Sequence, residues 1–320
     1  MTEGLAALLM VALALPHLLP LERATPTLAA TVWAFALALR ALTVVYVALY
    51  LVLFLPQTEL FSALTHWCWK TVLPLLATHL GLDGSRVGTG AIVLAAAVVA
   101  ASVTSVSWGV VRAARSVRTA LHRATLGTGP HDSVLVGGPT VFLAASGIAH
   151  PRVIVSAGAL TALDDDELAA GLDHERAHIE RRHRFVLVFA ELCRGLARFL
   201  PGTHHAAREL RFHLERDADR WVLARRHDPH ALAGAICKAT TPFSAGTPGV
   251  ASLGGGDAAR RVDELLTPRA RNPGRRLTAG LLGTAVLLGS LALVLAAAVP
   301  VTAIAGVQQA REPAHRHCQH

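Results

Sequence analysis

Two histidines and a glutamate stand close together in the stretch GLDHERAHIERRHRF, which spans residues 171–185. His174 and His178 are four residues apart, so on a helix they share one face, one turn from each other. Both imidazoles can then reach a single zinc ion. Glu175 points beside such a metal, where its carboxylate can take a proton from a water molecule and later deliver it to a leaving amine. The spacing indicates hydrolytic chemistry at a zinc site.

A zinc site of this kind needs a third protein ligand and an open fourth position. Glu215, in HLERDADRW, is the best candidate, because a helical hairpin would return it towards the first helix. Asp219 lies one turn further along and could orient a ligand histidine by accepting its hydrogen bond. In the alternative interpretation, these acids and the neighbouring arginines form an exposed ion-paired face. The two histidines then belong to a surface helix that binds no metal.

The elements that position these residues lie in the region 112–276. Short β-like runs broken by glycine and proline come first: SVLVGG at 133–138, TVFLA at 140–144 and RVIVS at 152–156. Three aspartates at 164–166 then open the helix that carries the motif, as the helix dipole favours. FVLVFAELCRGLARFL predicts a packed or membrane-skimming helix, and a further helix follows over 205–226. The region therefore predicts an α+β, zincin-like domain with a small sheet.

Two other segments leave alternatives open. The TVFLA run could bind an extended peptide by strand addition beside the metal, or it could be a core strand. The C-terminal HRHCQH could bind a metal ion, but a short histidine-rich terminus is more often disordered, and no role is assigned to it.

The composition indicates a membrane protein. Hydrophobic residues make up 52% of the 320 residues and charged residues only 16%, which is too apolar for an ordinary soluble domain. Apolar segments predict four transmembrane helices, at 5–21, 28–55, 88–111 and 277–306. A tryptophan-containing segment between the second and third spans is expected at the membrane interface.

The positions of the arginines predict a topology. Four arginines at 112–123 follow the third span and four at 269–276 precede the fourth, so both flanks should be cytoplasmic. The arginines that flank the spans then account for most of the net charge of +8, and no direct nucleic-acid partner is expected. The protein is predicted to be a multi-pass plasma-membrane protein with both termini extracytoplasmic. Its predicted parts are three spans with an interfacial segment at 1–111, a cytoplasmic zinc metallopeptidase domain at 112–276, the fourth span at 277–306 and a short tail at 307–320.

Together these pieces resemble a known family. HPRVIVSAGALTALDDDELAAGLDHERAHIERRH, followed by ARELRFHLERDADRWVL, is similar to the BlaR/MecR-type integral-membrane zinc metallopeptidases of peptidase family fifty-six, and more distantly to the HtpX and CAAX prenyl protease group. The resemblance implies one zinc ion held by His174, His178 and Glu215. It also implies that Glu175 is the general base and that Asp219 supports the site by orienting a ligand histidine.

The resemblance covers roughly residues 130–270 and has two departures. Such families usually place an aspartate five residues after the second histidine, where this chain has His183, so the structural interaction there is expected to differ. Antibiotic-sensing members continue into a penicillin-binding sensor domain after the last span. This chain is expected to lack that domain and not to sense β-lactams directly.

The sequence thus predicts a membrane-embedded zinc endopeptidase that hydrolyses peptide bonds of a cytoplasmic or membrane-associated protein. The resemblance suggests regulatory proteolysis of a transcriptional repressor, such as one of the BlaI type, at the surface of the lipid bilayer. One alternative is a non-catalytic signal transducer in which zinc only holds the helices together. A transporter is less well supported, because the spans carry almost no charge beyond Arg40.

Overall fold

The computed structural model describes residues 11–54, 125–147, 150–239, 251–252 and 257–267, together with single residues between 97 and 119. The described part is mostly helical and contains a small mixed sheet. Its helices are α1 (Pro26–Phe54), α2 (Ala157–Ala162), α3 (Asp165–Glu180), α4 (His183–Leu196), α5 (Thr203–Ala224), α6 (Pro229–Lys238) and α7 (Ala258–Leu266). Its strands are β1 (Thr125–Thr128), β2 (Val134–Val136), β3 (Leu143–Ser146), β4 (Arg152–Ser156) and β5 (Ala251–Ser252).

The sheet has the strand order β1-β2-β4-β3-β5. β2 and β4 run parallel, and the other neighbouring pairs are antiparallel. Side chains alternate between its two faces: Val153 and Val155 of β4 join the core shared with the helices, while Ile154 packs on the other side. The sheet therefore offers one apolar face against which the motif helix packs.

The predicted TVFLA strand is shifted in the structure. β3 begins at Leu143 rather than at residue 140, and it pairs with β4 along its whole length. On its other side, Ala144 and Ala145 pair with the two residues of β5. β3 is therefore an internal strand in this structure, as the core-strand interpretation expects.

The start of α3 is fixed by a capping box, in agreement with the acid-rich start that the sequence predicts. The Asp164 side chain accepts a hydrogen bond from the backbone N–H of Glu167, and the Glu167 side chain accepts one from the backbone N–H of Asp164. Glu167 also forms an ion pair with Lys238 on α6. These contacts set both the register and the docking of α3.

A helical hairpin brings α5 back alongside α3. The chain turns from α3 to α4 through Arg182, which has a left-handed backbone with φ of 57°. A second turn at Pro201 and Gly202, where φ is 80°, reverses α4 into α5. Glycine suits that position because it has no Cβ to strain a positive φ. The hairpin predicted from the sequence is thus present.

Among the residues that the structure describes, one helix is long and apolar enough to cross a membrane, over Pro26–Val47 of α1. Half of that stretch is buried inside the protein. Its buried alanines, including Ala29 and Ala30, let α4 and α5 pack closely against it. The helix corresponds to the second predicted span and also belongs to the core of the domain.

The other predicted spans are described in part or not at all. Residues 11–18 of the first span are helical, and so are the single described residues between 97 and 119, some of which belong to the third span. The fourth span, at 277–306, lies outside the described residues, as does the HRHCQH terminus.

Candidate metal centre

Three side chains from α3 and α5 converge at one point. His174 Nε2 lies 3.2 Å from His178 Nε2 and 3.2 Å from Glu215 Oε2. His178 Nε2 lies 3.5 Å from Glu215 Oε1. A tetrahedral zinc ion with ligand bonds of about 2.0–2.1 Å holds neighbouring donor atoms about 3.3 Å apart. The spacing of these three donors therefore fits one zinc ion.

The convergence is buried, contrary to the exposed-face interpretation. The exposed fractions of His174, Glu175 and His178 are 0%, 0% and 2%, and that of Asp219 is 5%. Glu215 is half-buried. These residues belong to the interior between two helices, and the surface-helix alternative is wrong.

Asp219 lies behind the first histidine, as its predicted supporting role requires. His174 Nδ1 is 3.0 Å from Asp219 Oδ1, although the approach is off the direction of a straight hydrogen bond. Burial lowers the pKa of His174, but contacts with the carboxylates of Asp219 and Glu215 outweigh burial and raise this pKa to about 9. Burial lowers the pKa of His178 to about 4. The two imidazoles therefore differ in how readily they release a proton to a metal.

Glu175 is held beside the three donors by the sheet. The backbone N–H of Ala145 on β3 donates a 2.7 Å hydrogen bond to Glu175 Oε2. The other oxygen, Oε1, is buried without a hydrogen-bond partner among the described residues. Burial raises the pKa of this carboxyl to about 8. One oxygen thus fixes the side chain and the other can exchange a proton near neutral pH.

Sequence reasoning did not identify Arg261, a buried arginine on α7. Its Nη1 donates a 2.8 Å hydrogen bond to Glu215 Oε2, and its Nε and Nη2 donate to the two oxygens of Asp219. Burial raises the pKa of Glu215, but the charge of Arg261 outweighs burial and holds this pKa well below its usual range. Arg261 therefore keeps both carboxylates ionised. The paired arginines in DAARRVDELL were the only signal, and they resemble those of any helix of mixed charge.

His183 takes the place of the aspartate that the resemblance led us to expect. Its Nδ1 lies 3.0 Å from His178 Nδ1, and its Nε2 lies 3.2 Å from Asp217 Oδ2. Asp217 is buried, and sequence reasoning did not single it out either. The second ring nitrogen of each histidine donor is therefore contacted by a side chain behind it.

Zinc affinity should depend on pH through His174. Zinc must displace the proton of His174, so the affinity should rise about tenfold per pH unit up to about pH 9. His178 adds nothing above pH 5 or so, because its pKa is about 4. Competition with a chromophoric chelator between pH 6 and pH 8 measures this slope. Asp219→Asn should flatten it by lowering the pKa of His174, and an affinity that does not change with pH would contradict the assignment.

Removing Arg261 should destabilise the protein strongly. Arg261→Met leaves Glu215 and Asp219 buried without their cation, which costs about 3–5 kcal/mol of unfolding free energy. The adjacent Arg260 is the control: it is 38% exposed, and its ion pairs with Glu22 and Glu209 lie nearer the surface. Arg260→Met should cost at most about 1 kcal/mol. Thermal unfolding in detergent compares the two variants, and equal losses would argue against a special role for Arg261.

A family model places the chain among known proteins. The model described as BlaR1 peptidase M56 matches residues 87–251, slightly more than half of the chain. The match includes the motif helix and α5, and thus all three converging donors. No curated protein matches the chain significantly. The chain therefore belongs to the BlaR1 peptidase family M56, a family of peptidases.

Proposed function

We propose that this chain is a zinc-dependent endopeptidase that acts at a membrane. The observation that carries the proposal is the spacing of the three donor atoms, 3.2, 3.2 and 3.5 Å. Beside them lies a buried glutamate, one oxygen of which has no hydrogen-bond partner within the described part of the chain. His174, His178 and Glu215 would hold one Zn²⁺, a donor set of two histidines and a glutamate known from catalytic zinc sites. Membership of a peptidase family supports the same conclusion.

Glu175 would carry the proton during peptide hydrolysis. A zinc ion held by His174, His178 and Glu215 would supply polarisation of the peptide carbonyl and a lowered pKa of water. Glu175 Oε1 accepts a proton as the water oxygen bonds to the peptide carbon. It then returns the proton to the amide nitrogen as the C–N bond breaks, which gives a carboxylic acid and an amine. The second water proton passes from the acid to the amine or to solvent, so that the acid leaves as a carboxylate. A carboxyl with a pKa of about 8 suits both transfers near neutral pH.

The residues behind the site keep its geometry fixed during this reaction. Ala145 holds Glu175 through a backbone N–H, and Arg261 holds Glu215 and Asp219. Because each supporting group is buried, none needs to be ordered again when substrate binds.

The proposed substrate is a cytoplasmic or membrane-associated protein, and a BlaI-type repressor is the example that the family suggests. The proposed organisation is that predicted from the sequence: three spans within 1–111, the catalytic domain at 112–276, the fourth span at 277–306 and a tail at 307–320. One candidate membrane helix, packed against the domain, supports a site close to the bilayer.

Glu175→Gln tests the enzymatic proposal. The glutamine keeps the size of the side chain and an oxygen for the Ala145 N–H, but it cannot accept the proton. Hydrolysis of casein, of a BlaI-type repressor or of the chain itself by detergent-purified protein should fall at least about a hundredfold. Metal analysis should still find about one zinc per chain.

The control for this experiment is Glu180→Gln, which changes an exposed glutamate at the end of the same helix and should leave hydrolysis unchanged. A chelator should abolish the activity of the wild-type protein, and added zinc should restore it. Unchanged hydrolysis by the Glu175 variant would contradict the proposal. Zinc binding without any hydrolysis would favour the structural-zinc transducer.

Cysteine labelling tests the proposed topology. Cys237 is exposed on α6 of the domain, and Cys318 belongs to the proposed extracytoplasmic tail. Two variants are compared, each keeping one of these cysteines with the other three changed to alanine. A membrane-impermeant maleimide added to intact cells should label only Cys318, and Cys237 should react only after lysis. Labelling of Cys237 in intact cells would place the domain outside.

A further inference from the structure

A chain of polar contacts runs from the metal centre to the membrane helix. His178 Nδ1 lies 3.0 Å from His183 Nδ1, and His183 Nε2 lies 3.2 Å from Asp217 Oδ2. The other oxygen of Asp217 accepts a 2.9 Å hydrogen bond from Thr27 Oγ1. Thr27 is the second residue of α1, so three contacts connect a proposed zinc ligand with the first turn of that helix.

The protons along this chain have one arrangement that satisfies every group. His178 offers Nε2 to the metal, so its proton lies on Nδ1 and is donated. His183 must then accept at Nδ1 and carry its own proton on Nε2. That proton is donated to the carboxylate of Asp217. By accepting at Nδ1 and donating at Nε2, His183 passes the orienting effect of the Asp217 carboxylate on to His178. The aspartate expected at position 183 would act on His178 directly.

The backbone and the surroundings hold His183 in this position. His183 is the first residue of α4, directly after the left-handed Arg182, and the exposed fraction of the histidine is 3%. Asp217 is 5% exposed and also accepts a 2.8 Å hydrogen bond from Arg181 Nη1. The contacts thus come from the α3–α4 turn, α4, α5 and α1, and not from a single helix.

A pocket lies next to this chain of contacts. This cavity of about 460 Å³ lies between α1 and α4, and Thr27, His183 and Asp217 line it together with apolar side chains such as Phe35 and Phe189. A change in the position of α1 would act on the bond between Thr27 and Asp217, because this bond joins α1 to the chain of contacts.

We propose that His183 and Asp217 are positioning residues that orient the metal ligand His178 and tie it, through Thr27, to the first turn of the membrane helix α1. The inference rests on the proposed zinc site. Through these contacts, the position of the membrane helix α1 affects how tightly the metal centre binds zinc. Neither residue needs to touch substrate for this role.

Substitutions at position 183 test the orientation of His178. His183→Ala removes the acceptor and should weaken zinc binding about tenfold to a hundredfold, the usual effect of losing a partner behind a metal ligand. His183→Asn is the matched variant, because its Oδ1 can take the place of Nδ1 as acceptor; it should bind zinc more tightly than His183→Ala. Chelator competition gives the affinities, and the visible spectrum of the cobalt-loaded protein reports the ligand geometry. Wild-type affinity and spectrum in His183→Ala would overturn the proposal.

Should His183→Ala not fold, Asp217→Asn decides the matter. Asp217→Asn replaces the carboxylate by a weaker acceptor and should also weaken zinc binding. Wild-type affinity and a wild-type cobalt spectrum in folded Asp217→Asn would overturn the positioning role.

The connection to α1 is tested by Thr27→Val, which keeps the shape of the side chain and removes its hydroxyl. Thr31→Val is the control, since the Thr31 hydroxyl bonds, among the residues that the structure describes, only the carbonyl of Thr27 within the same helix. Thr27→Val should weaken zinc binding several-fold, and Thr31→Val should not. In the His183→Ala background, Thr27→Val should have no further effect, because the two act through one path. Equal effects of the two threonine variants, or additive effects of Thr27→Val and His183→Ala, would overturn the connection.

Failure of this proposal is distinguishable from failure of the proposed function. If wild-type protein binds no zinc, or binds zinc without hydrolysing peptides, the enzymatic proposal fails whatever the variants do. If the wild-type protein binds zinc and hydrolyses peptides, and His183→Ala has the same zinc affinity, only the positioning role of His183 and Asp217 is wrong.

Discussion

The convergence of two imidazole nitrogens and one carboxylate in a buried space is the constraint on which the described structure depends. Bringing such groups out of water is unfavourable unless each finds a partner. Arg261 reaches this centre from α7 and bonds both Glu215 and Asp219, so that negative charge on α5 is balanced within the protein. The capping box of α3, its ion pair with α6 and the hairpin that returns α5 all serve to hold these donors in register.

The centre is supported from two sides by different chemistry. On one side Asp219 lies against His174, a carboxylate acting directly on an imidazole. On the other side the same effect reaches His178 through the ring of His183, with Asp217 behind it. The longer route places a carboxylate near α1, which a direct aspartate at position 183 would not do. In this chain His183 and Asp217 together therefore support His178, where the family pattern uses a single aspartate.

α1 has two physical roles that its sequence does not separate. Its length and apolar character suit a bilayer, yet half of its apolar stretch is covered by α4 and α5. Alanines at the contact allow close packing, and the hydroxyl of Thr27 reaches into the polar network of the domain. A helix that is apolar enough for a bilayer and also belongs to the core of the domain can transmit its position to the candidate metal centre without a separate linker.

The sequence by itself determined the family and the helix α3 on which His174 and His178 share a face, because the spacing of these residues and the capping of that helix are local features that a linear pattern records. It also identified Glu215 and Asp219, since one hairpin separates them from the motif. Only the tertiary structure decided that Arg261 reaches the candidate metal centre and that His183 contacts Asp217. It also decided that β3 begins at Leu143 and is an internal strand. Those contacts join residues far apart in the chain or depend on the left-handed turn at Arg182, and no periodicity encodes which buried charges will meet.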